Sequence, residues 1–210
     1  MPDLAQSQTM ALIITVAMLK GGVGKTTTAV ALAEAATIAG PVTLVDTDPM
    51  GSAVRWSVLA QESGKPLQAA VIGLPSPKLS QRLAALTQGS AACVIDSPPP
   101  GARAIAEAAI EVARIVVLPV PARMGDLDRV PATLELARQG DRQVFAVVTM
   151  ARHTTSEGAA RSALTSWGVE VLETVLPLRV AVAHNYGKRP AGMLAQFGQK
   201  LLAEITEKAT

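Results

Sequence analysis

The chain has 210 residues, which is enough for one domain with a substantial apolar core and too few for two large ones. Its 19 Lys and Arg residues against 17 Asp and Glu give a net charge of +2, so any binding of nucleic acid depends on local clusters of cations. Aromatic residues make up only 2% of the chain, which argues against recognition of single strands by stacking and leaves contacts with duplex phosphates open.

The few cysteines and histidines exclude several cofactor chemistries. Cys93 is the only cysteine and lies in an apolar run, so we expect a buried, inert thiol and neither a disulfide nor a zinc site. His153 and His184 lack metal-ligand spacing. The first apolar run follows a segment with one acid and no basic residue, and it is far shorter than a membrane span. We therefore expect no export signal, no transmembrane helix and a cytoplasmic location.

Seven apolar, β-branched runs alternate with Ala-rich helical segments along the chain. Most of the runs are apolar on both faces, which is typical of parallel strands covered by helices on both sides. The predicted strands are 11–18, 41–46, 67–73, 92–97, 114–120, 143–150 and 169–177. This alternation predicts an α/β fold with a doubly wound, mostly parallel sheet and helices on both faces. We expect one domain over residues 10–210, after a flexible tail at 1–9.

The stretch KGGVGKTT (20–27) follows the first predicted strand and opens a predicted helix, which is the context of a phosphate-binding loop. Glycines let backbone N–H groups converge on phosphate oxygens, and the helix N-terminus adds a partial positive charge. Lys25 can then reach the terminal phosphates, and Thr26 can ligate Mg²⁺. The predicted nucleotide-binding residues here are Gly21, Gly22, Val23, Gly24, Lys25, Thr26 and Thr27.

Acidic residues end two further predicted strands, at the edge where an open parallel sheet presents its ligand crevice. Asp46 and Asp48 lie in LVDTDPMGSA (44–53), and Asp96 ends the apolar strand of CVIDSPPPG (93–101). A carboxylate at Asp96 fits the Walker B role near Mg²⁺. Each acid alone has a simpler alternative as the polar cap of a strand end. Together with the phosphate loop, the three acids predict a site for a nucleotide and Mg²⁺.

These motifs resemble the deviant Walker A ATPases of the ParA/MinD family, whose loop reads KGGxGK[ST], and the resemblance covers nearly the whole chain. It implies a P-loop NTPase with a deviant Walker A loop that hydrolyses ATP slowly with Mg²⁺. In the family, the front lysine, here Lys20, crosses a dimer interface to the partner's ATP. Lys25 serves its own nucleotide, and Asp48 positions the attacking water. Lys20, Lys25 and Asp48 are therefore the implied catalytic residues.

The resemblance also implies which residues bind the metal ion and which contact the adenine base. It places Asp46 near Mg²⁺, so that the implied metal residues are Thr26, Asp46 and Asp96. Met50 stands where the family usually has Gln, which changes the polar contacts of that loop. Thr149, Met150 and Pro177 are the implied contacts of adenine. The residues themselves leave ATP and GTP both open.

Within the family, the run DTDPMGSAVRW (46–56) resembles the short partition ATPases. The implied function is that of a ParA-type ATPase, which dimerises on ATP and binds duplex DNA without sequence preference. A ParB-like or other cargo-bound partner stimulates hydrolysis, so that DNA or another cargo is partitioned or positioned on the nucleoid. The implied DNA contacts are Arg179, Lys188, Arg189 and Lys200. Ordinary solvated charges are the alternative for these four residues.

Two other functions compete with this one. A MinD-like, membrane-associated positioning ATPase would use the amphipathic C-terminal segment 192–210, but its polar face has no excess of cations, so we expect this helix to pack against its own core. An ATP-dependent metabolic ligase of the dethiobiotin or cobyrinate synthetase type would require a polar pocket for a small substrate, and the sequence shows no such cluster.

Overall fold

Seven parallel strands form one sheet in the computed structural model, which describes residues 11–152 and 155–209. The strands are β1 (Leu12–Val16), β2 (Val42–Asp46), β3 (Ala70–Gly73), β4 (Ala92–Asp96), β5 (Ile115–Pro121), β6 (Gln143–Ala151) and β7 (Glu170–Pro177). Their order across the sheet is β3-β2-β4-β1-β5-β6-β7. Each strand overlaps its predicted run, with ends that differ by at most three residues. The predicted fold class is confirmed, and the described sheet is parallel throughout.

Helices connect successive strands and cover both faces of the sheet. They are α1 (Lys25–Ala36), α2 (Ser52–Glu62), α3 (Leu79–Leu86), α4 (Arg103–Glu111), α5 (Val130–Ala137), α6 (Thr155–Ser166), α7 (Val180–Ala183) and α8 (Met193–Lys208). Short 3-10 helices at Pro100–Ala102 and Met124–Arg129 precede α4 and α5. Helices α1, α2 and α8 share one core with the sheet, and α3 to α6 pack on the other side.

Strand β4 shows why these runs are apolar on both faces. Val94 and Ile95 are both fully buried, but they belong to cores on opposite sides of the sheet. Cys93 is buried beside Ile95, and this burial raises the pKa of its thiol to about 12. The expectation of a buried, inert thiol is therefore confirmed.

The strand order brings three strand ends together at one edge of the sheet. In the register of β4, Asp96 is the partner of Val16 at the end of β1 and of Asp46 at the end of β2. Because parallel strands end at the same edge, the loops after β1, β2 and β4 meet there. This edge is the crevice in which open α/β sheets bind ligands.

The C-terminal helix α8 packs against the protein's own core, as expected. Its apolar face buries Leu194, Phe197, Leu201 and Ile205. At Gly198 the helix crosses α1 so closely that an added Cβ would overlap the carbonyl oxygen of Ala31. The apolar face that a membrane-binding helix would need is thus already covered. None of the described helices is long and apolar enough to span a bilayer.

This crossing yields a stability prediction. Gly198→Ala should lower the free energy of unfolding by about 1–3 kcal/mol, because forcing a methyl group into a packed helix crossing costs more than the helix gains. The matched control is Gly158→Ala in α6, where an added Cβ meets no atom within 4 Å. The control should gain about 0.5–1 kcal/mol from helix propensity alone. Urea unfolding of both variants tests this, and similar effects at the two sites would contradict the close crossing.

The edge strand β7 is covered by charged side chains. The carboxylate of Glu204 in α8 accepts hydrogen bonds from the backbone N–H of Glu173 at 2.6 Å and of Thr174 at 3.0 Å. The guanidinium of Arg161 in α6 donates to the carbonyl oxygens of Leu172 and Glu173. Partial burial raises the pKa of Glu204, but the N–H donors outweigh burial and leave it below its usual value. These contacts occupy backbone groups that would otherwise be open to strand pairing.

The lowered pKa of Glu204 yields a prediction about pH. A carboxylate whose pKa is lower in the folded protein stabilises the fold above its unfolded pKa of roughly 4.3, and this stabilisation is lost as the pH falls through the folded value. Glu204→Gln should therefore cost about 1 kcal/mol at pH 7 and progressively less on acidification. Urea unfolding between pH 7 and pH 3 measures the difference, with Glu207→Gln on the same helix as the control. A cost that does not change with pH would contradict the role of the charge.

Candidate functional site

The loop between β1 and α1 is held by side chains from distant elements. Gly22 and Gly24 take left-handed backbone conformations, with φ of 70° and 92°, which residues with a Cβ rarely adopt. The hydroxyl of Thr149 in β6 donates to the carbonyl oxygen of Val23 at 2.9 Å. The backbone N–H of Leu19 donates to the hydroxyl of Thr133 in α5 at 3.2 Å. The loop is therefore supported from β6 and α5 in a shape in which its N–H groups can converge.

Lys25 lies buried at the start of α1, across the mouth of this loop. Its ammonium donates to the carbonyl oxygen of Lys20 at 2.9 Å. Burial lowers the pKa of Lys25, and the negative charges of Asp96 and Asp48 oppose this effect. The three groups are thus close enough to interact electrically. This places a cation at the base of the loop, with carboxylates on the strands beside it.

Asp96 is fully buried, and neither of its carboxylate oxygens accepts a hydrogen bond of good geometry from a described residue. Burial raises its pKa to about 7, although the nearby Thr26 hydroxyl and the Lys25 ammonium lower it. A buried carboxylate without donors is costly unless something compensates its charge. A Thr hydroxyl and a carboxylate oxygen are donors that Mg²⁺ accepts. Thr26 and Asp96 therefore fit the predicted metal.

Asp46 makes different contacts from those expected for a metal residue. Its carboxylate accepts hydrogen bonds from the backbone N–H of Asp48, Ala53 and Val54, at 2.8–3.0 Å. Burial raises its pKa, and these three donors oppose the increase. Asp46 thus satisfies the free N–H groups at the start of α2. A role near Mg²⁺ stays a prediction for this residue, whose oxygens are already committed to the backbone.

Asp48 lies on the loop between β2 and α2. One of its carboxylate oxygens accepts a hydrogen bond from the backbone N–H of Met50 at 2.9 Å, and the side chain is half-buried. The Met50 side chain is 79% exposed, so it contributes no packing to the site. Asp48 therefore lies on a loop held by Asp46 and is close enough to Lys25 for their charges to interact.

Lys20 points away from the loop that it precedes. Its ammonium donates to the carbonyl oxygen of Gly125 at 2.7 Å and pairs with Asp128 at 3.0 Å and Asp126 at 3.1 Å. The hydrogen bond that Lys20 donates to Asp128 is the main cause of the raised pKa of Lys20, and Asp126 adds to it. The same contact lowers the pKa of Asp128. The front lysine is thus held by an acidic pair of its own chain.

The acidic pair of Asp126 and Asp128 was not predicted from the sequence. Asp126 and Asp128 lie in the 3-10 helix that follows β5, the neighbour of β1 in the sheet. Two acids shortly after a predicted strand were the available signal, because the loops after neighbouring parallel strands meet at the same edge. Asp126 also pairs with Arg123 at 3.5 Å and Asp128 with Arg129 at 3.9 Å, so three cations share the two acids.

The region predicted for the base is formed by the ends of β6 and β7. Met150 has a φ of 52°, which is rare for a residue with a side chain, and its sulfur lies 3.5 Å from the guanidinium of Arg123. Pro177 ends β7. The next residues line a cavity of about 450 Å³, together with Arg152 from the end of β6. The lining residues are Arg152, Leu178, Arg179, Val180 and Ala183.

The side chain of Thr149 is used in another way. It is fully buried, and its hydroxyl donates to the carbonyl oxygen of Val23 and so supports the loop after β1. A contact of Thr149 with adenine stays a prediction. Arg152, which the sequence analysis passed over, lines the cavity.

The four predicted DNA contacts lie in separate settings. Arg179 lines the cavity just described. Arg189 forms an ion pair at 3.2 Å with the buried carboxylate of Glu34, so its charge is partly neutralised. Lys188 precedes it and is exposed, and Lys200 is exposed on α8. Within the described residues, neither lysine forms an ion pair. Of the four, only Arg189 forms an ion pair with another described residue, and Lys188, Lys200 and the cavity-lining Arg179 do not.

Four features together define a P-loop nucleotide-binding domain. They are a strand, a glycine loop, a helix with a buried lysine at its start, and a buried carboxylate on the adjacent strand. Residues 14–190 match the family model described as the CobQ/CobB/MinD/ParA nucleotide binding domain. The chain belongs to this family.

A curated relative and two solved structures show what the chain is similar to. Maintenance of carboxysome distribution protein A of Gloeobacter kilaueensis is 39% identical over 118 residues, which is 56% of this chain and 49% of that protein. The aligned part thus spans about half the length of this curated relative. A plasmid partition protein of Borrelia burgdorferi, bound to AMPPNP, has a TM-score of 0.77 at 17% identity, covering 94% of this chain and 99% of that one.

The septum site-determining protein MinD of Pyrococcus horikoshii, complexed with Mg-ADP, has a TM-score of 0.74 at 21% identity, covering 95% of this chain and 98% of that one. At these identities the two structures show the fold alone. They agree with the predicted ParA/MinD resemblance, which family membership confirms. The ligands in both structures agree with the prediction of ATP and Mg²⁺.

Proposed function

We propose that this chain is a ParA-type ATPase that dimerises on ATP, binds duplex DNA without sequence preference and positions a DNA or other cargo on the nucleoid. A partner bound to the cargo, of the ParB-like kind or another, stimulates its hydrolysis of ATP. Support comes from the relatives, which are named for carboxysome distribution, plasmid partition and septum-site determination. All three names describe the positioning of something in the cell.

ATP with Mg²⁺ is the ligand of the site. The N–H groups of residues 21–27 and the ammonium of Lys25 bind the phosphates, while Thr26 and Asp96 hold the metal. When bound, Mg²⁺ neutralises charge that develops on the β- and γ-phosphates. Asp48 orients the attacking water with the carboxylate oxygen that is not bonded to Met50. The buried carboxylate of Asp96, next to the hydroxyl of Thr26, is the feature that fits this ligand best.

The position of Lys20 is the observation that carries dimerisation. Its ammonium is bound to Asp126 and Asp128, while Lys25 lies at its own phosphate loop. Lys20, the second cation at the front of the loop, therefore has no phosphate to bind in its own chain. Phosphoryl transfer needs cations that offset charge in the transition state, and these can come from another subunit. We infer that Lys20 exchanges its acidic pair for the phosphates of a partner's ATP.

Slow intrinsic turnover follows from the same arrangement. Besides Mg²⁺, one chain presents one cationic side chain, Lys25, to its own nucleotide, and the transition state remains incompletely stabilised. Dimerisation supplies Lys20, and the cargo-bound partner supplies the remaining contacts. A low basal rate of ATP hydrolysis keeps the protein in the ATP-bound form that remains on DNA.

Two alternatives compete with this function. A MinD-like membrane function would require a free amphipathic helix, but α8 buries its apolar face against α1 and the sheet. A metabolic ligase is represented in the family by the CobQ and CobB members. Such an enzyme would respond to a small substrate, whereas the turnover of a partition ATPase should respond to duplex DNA.

Fluorescence anisotropy with several unrelated labelled duplexes tests the DNA-binding step. We expect the Asp48→Ala variant, which should bind ATP without cleaving it, to bind every duplex with ATP and Mg²⁺ and only weakly with ADP. The slope of log affinity against log salt should rise by about 0.9 for each phosphate contacted, and so about double in the dimer. Equal affinity with ATP and ADP, or no binding in low salt, would favour the membrane-associated or metabolic alternatives.

A further inference from the structure

The segment 185–189, here called the basic strap, is fastened along helix α2. The indole N–H of Trp56 donates to the carbonyl oxygen of Lys188 at 2.8 Å. The hydroxyl of Ser63 donates to the carbonyl oxygen of Gly187 at 3.1 Å, and the N–H of Arg189 donates to the carbonyl oxygen of Lys65 at 2.9 Å. These bonds join residues that are more than a hundred positions apart.

The basic strap also packs tightly against the side chains of α2. The rings of Trp56 and Tyr186 meet edge to face with centroids 5.1 Å apart. Gly187 has a φ of 70°, and an added Cβ there would lie only 2.8 Å from the Cβ of Leu59. Trp56 itself is buried. The basic strap and α2 therefore form one unit whose parts cannot move independently without breaking these contacts.

The charges on this unit differ from those expected from the sequence. Arg189 pairs with Glu34, whose other oxygen accepts the backbone N–H groups of Gln68 and Ala69. Lys65 and Lys188 are both exposed, and within the described residues neither forms an ion pair. The backbone bond between Lys65 and Arg189 brings the two lysines to the same end of α2. At this end of α2 the cations that form no ion pair among the described residues are thus Lys65 and Lys188, whereas the exposed Arg55 lies in the first turn of the helix.

The other end of α2 lies at the nucleotide site. The carboxylate of Asp46 accepts the N–H groups of Ala53 and Val54 in the first turn, and the same carboxylate holds the N–H of Asp48. The helix has 11 residues. At 1.5 Å per residue it is a rod of about 16 Å, with the water-orienting loop at one end and the lysines at the other.

We infer that Lys65 and Lys188 form a binding surface for the phosphates of duplex DNA, and that Trp56 is the positioning residue that couples this surface to the nucleotide. The inference rests on the proposed function and specifies its DNA site. When the loop of Asp48 responds to ATP, α2 moves with it, and Trp56 carries the basic strap along. Arg189 acts mainly as a structural partner of Glu34, and Arg179 belongs to the cavity after β7.

The surface is tested by charge reversal in the full chain, with AMPPNP and Mg²⁺ to hold the triphosphate state. Lys65→Glu and Lys188→Glu should each weaken duplex binding at least tenfold while dimerisation is unchanged. Lys78→Glu, at an exposed lysine before α3, is the matched control and should change binding less than threefold. Lys65→Ala should lower the salt slope by about 0.9 per protomer.

The outcomes separate this inference from the proposed function. If the parent protein binds duplex but Lys65→Glu binds as well as the parent, the surface is assigned wrongly and the proposed function stands. If the parent protein binds no duplex in any salt, both fail together.

The coupling role of Trp56 needs a readout that a merely structural residue would not change. Trp56→Phe keeps an aromatic ring and removes the N–H, so the ratio of duplex affinity with AMPPNP to that with ADP should fall at least fivefold. Trp167→Phe is the control and should preserve the ratio. It also leaves Trp56 as the only tryptophan, and its emission should then shift when AMPPNP and Mg²⁺ are added. An unchanged ratio in Trp56→Phe, or an emission that does not respond to nucleotide, would overturn the coupling.

Discussion

Replacing Lys25 with alanine is expected to abolish productive binding of ATP, with an affinity lower by about two orders of magnitude. The lysine donates charge-assisted hydrogen bonds to the phosphates, and each such bond contributes roughly 1.5–3 kcal/mol. The substitution also removes the buried cation that offsets the charges of Asp96 and Asp48. Isothermal titration calorimetry with ATP and Mg²⁺ measures the effect.

The control for this substitution is Lys78→Ala, which removes an exposed lysine away from the site and should leave ATP affinity unchanged. A thermal unfolding curve shows whether each variant is folded before the titration. Lys25→Ala with an affinity within threefold of the parent would contradict the assignment of the phosphate site.

Replacing Lys20 with alanine should produce a different loss. ATP affinity should stay within about threefold of the parent, whereas dimerisation is lost and turnover falls by about three orders of magnitude, the scale of a cation supplied across an interface. The reason is that Lys20 contacts Asp126 and Asp128 in its own chain and is proposed to reach phosphates only in the partner. Steady-state hydrolysis measured together with ATP titration distinguishes the two kinds of loss.

The acidic pair provides the matched variant. Asp126→Asn combined with Asp128→Asn removes both charged partners of Lys20 and leaves its bond to the carbonyl oxygen of Gly125, and should lower the ATP concentration required for dimerisation severalfold. The effect is modest because exposed ion pairs contribute only about 0–1 kcal/mol each. If Lys20→Ala dimerises and hydrolyses ATP like the parent, the role assigned across the interface is wrong.

Much of the fold was predictable because its signals are local. Strands buried on both faces, such as β4, are continuously apolar in sequence. The glycines of residues 20–27 predict a loop with left-handed backbone conformations, which Gly22 and Gly24 adopt. The acids that end β2 and β4 were also visible. Since parallel strands end at one edge, their proximity followed from the fold class alone.

What was missed depends on contacts between residues distant in sequence. An acid that ends a strand can face a metal or cap a helix, and only the structure shows that Asp46 bonds to the N–H groups of α2. Lys20 and its partners Asp126 and Asp128 are separated by more than a hundred residues, as are Thr149 and Val23. No local pattern pairs such residues.

The basic residues illustrate the same limit. Arg189 lies in a basic stretch and was a natural DNA contact, but the structure places it against the buried Glu34. Lys65 has no distinctive sequence context, yet the basic strap brings it beside Lys188. A solvated cation and a paired one look alike in sequence, because the difference is made by tertiary packing.

The central claim is that ATP drives two chains together, and light scattering on the Asp48→Ala variant tests it most directly. With saturating ATP and Mg²⁺, the variant should show about twice the monomer mass of 21.7 kDa, and with ADP and Mg²⁺ it should remain a monomer. Adding Lys20→Ala to this variant should return the ATP form to the monomer. A variant that binds ATP but stays monomeric at saturating ATP, or one that dimerises equally with ADP, would contradict the mechanism.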